Sequence, residues 1–136
     1  MIEKTKAGTV AEDIEFVSRI AEGDVSAWES FVEEYSAWTL YQTRNWCESH
    51  CQYRSSPVAC GLVILDRKIA GNHTRSDMEE CDDGMDIYIW IFDQLRKKIT
   101  RYAGKNNSRL STFIWRILNS REFYIDWLRW RYGRVI

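Results

Sequence analysis

Apolar side chains recur at helical spacing in the first third of the sequence. Residues 11–21 carry one apolar stripe, and Gly23 follows as a residue that can end a helix in the left-handed conformation. Asp24 is then a suitable N-cap for a second helix, which the pattern extends to about residue 46. The apolar stripes of these two helices comprise Ile14, Val17, Ile20 and Ala21, and then Trp28, Phe31, Val32, Tyr35, Trp38 and Thr39.

Two further helices are predicted in the second half of the chain. The third spans residues 86–102, and basic residues fill its last turns, where the helix dipole favours cations. Gly104 closes it. The last helix begins near Ser108 or Ser111 and runs to Tyr132.

Residues 47–81 interrupt this pattern and hold all four cysteines, both histidines and the only proline. A short apolar run at residues 61–65 fits a strand or a buried helical turn, and periodicity does not decide between them. Since no hairpin signal lies outside this segment, we predict an all-α fold. It has about four helices in a single domain over residues 1–136, with an irregular insert between the second and third helices.

Charge is divided unevenly along the chain, although the formal net charge is −1. Residues 1–86 hold 8 Lys and Arg against 17 Asp and Glu, whereas residues 87–136 hold 11 against 3. This division predicts a face suited to a polyanion, unless folding interleaves the charges again. No apolar run approaches the ~20 residues of a membrane span. The amino terminus lacks the apolar stretch of a signal peptide, so we expect a cytoplasmic protein.

Arginines and aromatic residues alternate along the last helix from Trp115 onward. Trp130 and Tyr132 exceed what a single apolar stripe requires. Exposed rings beside arginines can stack on unpaired bases while the guanidinium groups hold phosphates. A packing surface for a neighbouring domain explains the same composition equally well.

Four stretches in order resemble region 2 of bacterial sigma-70-type sigma factors, particularly the extracytoplasmic-function group. Residues 20–35 (IAEGDVSAWESFVEEY) are similar to the family's opening helix, and residues 86–104 (DIYIWIFDQLRKKITRYAG) to a later helix with its closing turn. Residues 108–117 (SRLSTFIWRI) and 125–129 (IDWLR) are similar to the two segments that follow. The resemblance implies a compact helical bundle and covers most of the chain.

The resemblance also implies a function in transcription initiation. Region 2 binds the clamp helices of RNA polymerase, melts the minus-ten promoter element and captures flipped bases of the non-template strand. An anti-sigma factor is a further candidate partner. This work needs no catalytic residues, and we find no acid–base pair, nucleophile or Gly-rich phosphate loop in the sequence. We therefore expect a protein that is not an enzyme.

Site residues follow from the same resemblance. Those facing polymerase would be Asp86, Ile89, Trp90 and Asp93. Those contacting DNA would be Thr112, Trp115, Arg116, Arg121, Tyr124, Trp127, Arg129, Trp130 and Arg131. The segment 112–117 would help to open the duplex, and the segment 121–131 would hold the strand. A core position is equally consistent for Trp115 and Trp127, and a solvated helix face is the alternative for Arg129 and Arg131.

The sequence departs from the family at the polymerase-facing helix and beyond. Ile89 and Trp90 stand where the family has a polar pair, so the surface is altered or the insert covers it. The segment 118–124 is about two residues longer than in the family, so the family's base-capturing loop does not carry over directly to this chain. No helix-turn-helix domain follows, which indicates a truncated chain or a reduced family member. These departures leave a second function open, a sigma-like interaction module that binds a partner without melting DNA.

The four cysteines all lie in the segment that has no counterpart in the family. A segment with so few apolar residues needs a staple, and in a reducing cytoplasm a metal serves better than a disulfide. Zinc takes four thiolate or imidazole ligands in a tetrahedron. An iron–sulfur or redox-sensing role and free or disulfide-bonded cysteines are the alternatives. The predicted zinc ligands are Cys47, Cys51, Cys60 and Cys81, with His50 and His73 in reserve.

Overall fold

The computed structural model describes residues 8–50, 59–60, 80–81 and 83–133. Within these ranges the chain is helical, apart from one short strand pair, and this confirms the all-α class. Most of the predicted insert, residues 47–81, lies outside the described residues. The elements are α1 (Val10–Ala21), α2 (Val25–His50), β1 (Ala59–Cys60), β2 (Glu80–Cys81), α3 (Asp83–Lys98), 3₁₀ turns at Ile99–Arg101 and Lys105–Asn107, α4 (Leu110–Leu118) and α5 (Arg121–Tyr132).

Helix α1 and the start of α2 follow from local capping. The Thr9 hydroxyl accepts the N–H of Glu12 at 3.1 Å, and the Glu12 carboxylate accepts the N–H of Thr9 at 2.9 Å, which completes a capping box. Gly23 follows α1 with a φ of +90°, and Asp24 caps α2 by accepting the N–H of Ala27 at 3.1 Å. The end of α1 before Gly23 and the Asp24 cap are the predicted ones, whereas α1 begins one residue earlier than predicted and α2 continues past residue 46 to His50.

The prediction of a single last helix is wrong, because the chain breaks between α4 and α5. Asn119 ends α4, and its side-chain amide donates to the Trp115 carbonyl at 2.9 Å. Ser120 is the N-cap of α5, and its hydroxyl accepts the N–H of Phe123 at 3.0 Å. Both side chains bond the backbone locally in place of a continuing helix. The break separates the segment predicted to open DNA from the segment predicted to hold it.

Contacts divide the chain into two compact units, Met1–Ser36 with Phe92–Ile136, and Ala37–Ile91. In the first unit, α1 packs on the 3₁₀ turn Ile99–Arg101 and on α4. Burial of its large apolar side chains provides the main stabilisation of this unit. The most deeply buried of them are Phe31, Tyr35, Leu95, Ile99, Ile114, Leu118, Phe123 and Trp127.

An aromatic cluster joins α2 to α3 within the first unit. The Phe31 ring stacks on Trp28 at 5.2 Å between centroids, and it meets Phe92 edge-on at 6.3 Å. The Arg96 guanidinium lies 4.7 Å from the centroid of the Trp28 ring, as in a cation–π contact. Since each aromatic pair adds ~0.5–1.5 kcal/mol beyond burial, the cluster fixes the packing of these two helices.

The second unit contains the later part of α2, the first part of α3 and the strand pair. Trp46 and Trp90 are buried with their ring centroids 6.3 Å apart, and this pairs the two helices. Strands β1 and β2 run parallel, with Cys60 opposite Cys81 and the residues preceding them also paired.

Gly104 lies in a left-handed turn that approaches α1 closely. Its φ is +68°, and a Cβ added there would overlap Cγ1 of Val10. The turn is closed by the Tyr102 hydroxyl, which donates to the Ser108 carbonyl at 2.6 Å. Only glycine satisfies both the backbone conformation and the lack of space.

We expect Gly104→Ala to lower the free energy of unfolding by about 2–4 kcal/mol, because left-handed strain and steric overlap add. Gly23 and Gly133 also have positive φ, but nothing lies within 4 Å of a Cβ there. Alanine at either position therefore costs only about 1 kcal/mol. Urea denaturation of the three variants measures the difference, and equal losses would contradict the close approach to Val10.

Candidate nucleic-acid interface

Helix α4 exposes residues of the segment to which the family resemblance assigns duplex opening. Thr112, Trp115 and Arg116 are all exposed, and their spacing of three and four places them on one helical face. Trp115 is 51% exposed, although a core position was the alternative for it. The buried face of the same helix consists of Leu110, Ile114 and Leu118.

Helix α5 exposes a second group of basic and aromatic side chains. Arg121, Arg129 and Tyr132 are exposed, and Trp130 is 50% exposed. Arg131 and Tyr124 are half-buried. We call the exposed set on the two helices the α4–α5 surface, and it comprises Thr112, Trp115, Arg116, Arg121, Arg129, Trp130 and Tyr132.

Trp127 does not belong to this surface. Its side chain is 1% exposed, so its ring has no face to offer to a base, and the core position is the one observed. The ring packs 5.7 Å from Tyr124 and 6.3 Å from Tyr132. The assignment of Trp127 to DNA contact is therefore corrected to support of the neighbouring rings.

The guanidinium groups of the α4–α5 surface are weakly engaged by acids. Among the residues that the structure describes, no ion pair involves Arg116 or Arg121. Arg129 lies 3.9 Å from Asp126, and both side chains are about half exposed. Exposed pairs of this kind are worth little and are screened by salt, so these charges can be redirected to phosphates.

Asp13 of α1 holds the start of α4 in place. Its carboxylate accepts hydrogen bonds from Nε of Arg109 at 2.7 Å and from an Nη of the same guanidinium at 3.2 Å. It also accepts a hydrogen bond from the backbone N–H of Leu110 at 2.9 Å. Arg109 is the N-cap residue of α4, and its own side chain makes no capping bond. Asp13 therefore supplies the cap from another helix, and we call these three residues the Asp13 hub.

Burial and hydrogen bonding fix the protonation states around the Asp13 hub. The bond to Asp13 raises the pKa of Arg109, so the guanidinium stays charged. Burial raises the pKa of Tyr35, with Glu34 adding to the effect, and burial also raises the pKa of Tyr102. Both phenols are thus neutral near pH 7, and Tyr102 keeps the proton that it donates to the Ser108 carbonyl.

A cavity of about 320 Å³ opens beside the hub. Its lining includes the carboxyl groups of Glu12, Asp13 and Glu34, together with the Arg109 guanidinium that Asp13 already binds. Since Asp13 is neutralised by Arg109, Glu12 and Glu34 leave an excess of negative charge in the lining, which disfavours a polyanion there.

The residues predicted to face polymerase divide into exposed and buried ones. Asp86 is exposed, and Ile89, three residues further along α3, is 58% exposed. Asp93 is exposed and lies 3.4 Å from the amine of Lys97. Trp90 is buried against Trp46, and its assignment to the polymerase surface is corrected for that reason.

Some of the predicted zinc ligands lie within the residues that the structure describes, and others lie outside them. Cys47 is half-buried near the end of α2, and Cys60 and Cys81 are paired in β1 and β2. Cys51, His73 and the side chain of His50 lie outside the described residues. Among the described side chains, no group of three or more His, Cys, Asp or Glu is placed to hold a metal ion.

Comparison of the chain with protein-family models, curated proteins and solved structures returned no match. Of the helices in the described ranges, none has the length and apolar character needed to cross a membrane.

We expect Asp13→Asn to lower the free energy of unfolding by about 1–3 kcal/mol, because it removes a partly buried charge-assisted pair. Glu15→Gln is the matched control, since it neutralises an exposed acid on the same helix, and it changes stability by less than about 0.5 kcal/mol. A double-mutant cycle with Arg109→Met isolates the pair by urea denaturation. A coupling energy near zero would mean that the two side chains do not support each other.

Proposed function

We propose that this chain is the promoter-binding and promoter-melting domain of an alternative sigma factor, similar to region 2. In this function it binds RNA polymerase core and the non-template strand of the minus-ten element. The observation that carries the proposal is the α4–α5 surface, in which the same two helices expose both indole rings and arginines. The resemblance of four ordered sequence stretches supports the same assignment.

The exposed rings match the chemical need of an opening duplex. A base that leaves its duplex loses its stacking partners, and an aromatic face replaces them with ~1–3 kcal/mol per base. Trp115 on α4 and Trp130 on α5 each expose about half of their surface while the rest anchors them. Such partly held rings lose little conformational freedom on binding.

The exposed arginines supply the attraction to the backbone. Arg116, Arg121 and Arg129 are exposed on the same two helices as the rings. Each phosphate that a cation neutralises releases counterions, which makes binding weaker as salt increases. For a single strand the logarithmic slope changes by about 0.7 for each phosphate contact.

We expect Trp115→Ala and Trp130→Ala each to weaken binding of a fluorescently labelled, AT-rich single strand by about 5- to 150-fold, the loss of one stacked base. Tyr41→Ala is the matched control, because Tyr41 is an exposed ring on α2 outside the α4–α5 surface, and it leaves the affinity unchanged. Fluorescence anisotropy titrations measure all three variants.

The same titrations, repeated over a range of salt concentrations, distinguish the contribution of the arginines from that of the rings. Arg116→Ala and Arg129→Ala each reduce the salt slope by about 0.7, while Arg19→Ala, an exposed arginine on α1, does not. Equal effects of Trp115→Ala and Tyr41→Ala, together with unchanged salt slopes, would contradict the proposed DNA surface.

Contact with polymerase is proposed for the exposed residues of α3. Ile89 is an apolar side chain in solvent, at a position where the family that the chain resembles has a polar one. A solvent-exposed isoleucine gains free energy when a partner covers it. This residue also supports the second function, a module that binds its partner without melting DNA.

We expect Ile89→Glu to weaken association with purified RNA polymerase core by about tenfold or more, because a charge would be buried at the contact. Val25→Glu, on an exposed apolar residue at the start of α2, is the control and leaves the association unchanged. Biolayer interferometry measures both variants. Tight core binding without any oligonucleotide binding would favour the interaction module over the promoter-melting domain.

A further inference from the structure

A long stretch in the second half of the chain carries positive charge and no acid. Residues 94–121 hold 8 Lys and Arg and no Asp or Glu. Two of these cations are engaged within the first compact unit, since Arg109 binds Asp13 and Arg96 lies over the ring of Trp28. The α4–α5 surface includes two more. The four that remain have no part in the single-strand contact proposed above, and they are Lys97, Lys98, Arg101 and Lys105.

Three of these four cations are exposed at the carboxyl end of α3 and in the turns that follow it. The 3₁₀ turn Ile99–Arg101 continues directly from α3, so Lys97 and Arg101, four residues apart, are neighbours on the helix surface. Lys105 is exposed in the next turn, which the Tyr102 hydroxyl closes. We call Lys97, Arg101 and Lys105 the α3-end surface.

Acidic side chains do little to neutralise the α3-end surface. Among the residues that the structure describes, Arg101 and Lys105 are in no ion pair, and Lys97 lies 3.4 Å from Asp93 with both side chains more than half exposed. Exposed pairs of this kind are weak and are screened by salt. The helix dipole accounts for cations in the last turn of α3, but Lys105 lies beyond that turn. The positive charge of this surface is therefore open to a polyanion.

The α3-end surface has none of the exposed rings that the α4–α5 surface carries. Between residues 92 and 114, all of which are described, no large apolar side chain is exposed, and Tyr102 is buried. A single strand is held by stacking as well as by charge, and a membrane surface is held by apolar side chains that enter it. A duplex keeps its bases stacked inside and presents its phosphates, so cations alone can bind it. The composition of the surface therefore favours double-stranded DNA over a single strand or a membrane.

Contacts within the first compact unit bring the end of α3 against both helices of the α4–α5 surface. The Lys98 ammonium lies 5.7 Å from the centroid of the Phe123 ring on α5, two residues after the exposed Arg121. The Tyr102 ring lies 5.5 Å from the Phe113 ring on α4. A strand that separates from a duplex remains joined to it, so a protein that holds the separated strand meets the duplex close by.

We propose that the α3-end surface binds the phosphates of double-stranded DNA next to the separated strand that the α4–α5 surface holds. The contact is independent of sequence, because phosphates carry no base identity. The choice of DNA as the polyanion rests on the proposed promoter function. The surface itself rests on charge, exposure and the lack of rings, so duplex and single-strand ligands test the two proposals separately.

Anisotropy titrations of the purified full chain with a labelled AT-rich duplex, at several salt concentrations, test the surface. We expect Arg101→Ala and Lys105→Ala each to reduce the logarithmic salt slope for the duplex by about 0.9, and the affinity near 0.1 M salt by about 5- to 10-fold, through the loss of one phosphate contact. Both variants bind the AT-rich single strand as the wild-type chain does. Arg19→Ala is the matched control, because it removes an exposed arginine from α1 in the same compact unit, and it leaves the duplex slope unchanged.

Four results overturn the duplex surface. The first is a wild-type chain that binds the single strand but no duplex, and the second is an unchanged duplex slope in both variants. The third is an equal fall for duplex and single strand, which assigns these cations to the single-strand path. The fourth is a loss of binding to phosphatidylserine vesicles with duplex binding intact, which assigns them to a membrane. Duplex binding that depends on Arg101 and Lys105 in a chain that binds no single strand supports this surface and contradicts promoter melting.

Discussion

The placement of α4 in the first compact unit depends on the Asp13 hub. An α-helix begins with backbone N–H groups that have no partner within it, and α4 starts on Arg109, whose side chain does not cap it. Asp13 of α1 meets this need and at the same time takes the guanidinium in a fork of two bonds. A charge-assisted contact from another helix thereby fixes where α4 begins, while burial of Leu110, Ile114 and Leu118 decides which of its faces meets solvent.

A buried aromatic residue, Trp127, supports the partly exposed rings of α5. Trp127 lies in the core within 5.7 Å of Tyr124 and 6.3 Å of Tyr132, so the half-exposed rings of α5 rest on a packed support. The break at Ser120 lets α4 and α5 each turn their own apolar side inward. The exposed rings and arginines are thus presented by short helices that are packed before any ligand arrives.

Helix boundaries that depend on local signals could be predicted from the sequence. Burial and pairing that depend on distant contacts could not. The ends of α1 and the start of α2 follow from Thr9, Gly23 and Asp24, because caps act within a few residues. The break at Ser120 was missed because the apolar pattern continues across it. Periodicity alone did not show that Trp127 is buried while Trp115 is exposed. The Asp13–Arg109 pair joins positions 96 residues apart, and no local sequence pattern predicts such a contact.

The same separation has a consequence for biosynthesis. The first compact unit is assembled from the two ends of the chain, whereas Ala37–Ile91 is continuous. A ribosome emits the amino-terminal helix long before the arginine that it must meet, and closing so long a loop carries an entropic cost. The discontinuous unit therefore closes only after the carboxyl-terminal helices have emerged.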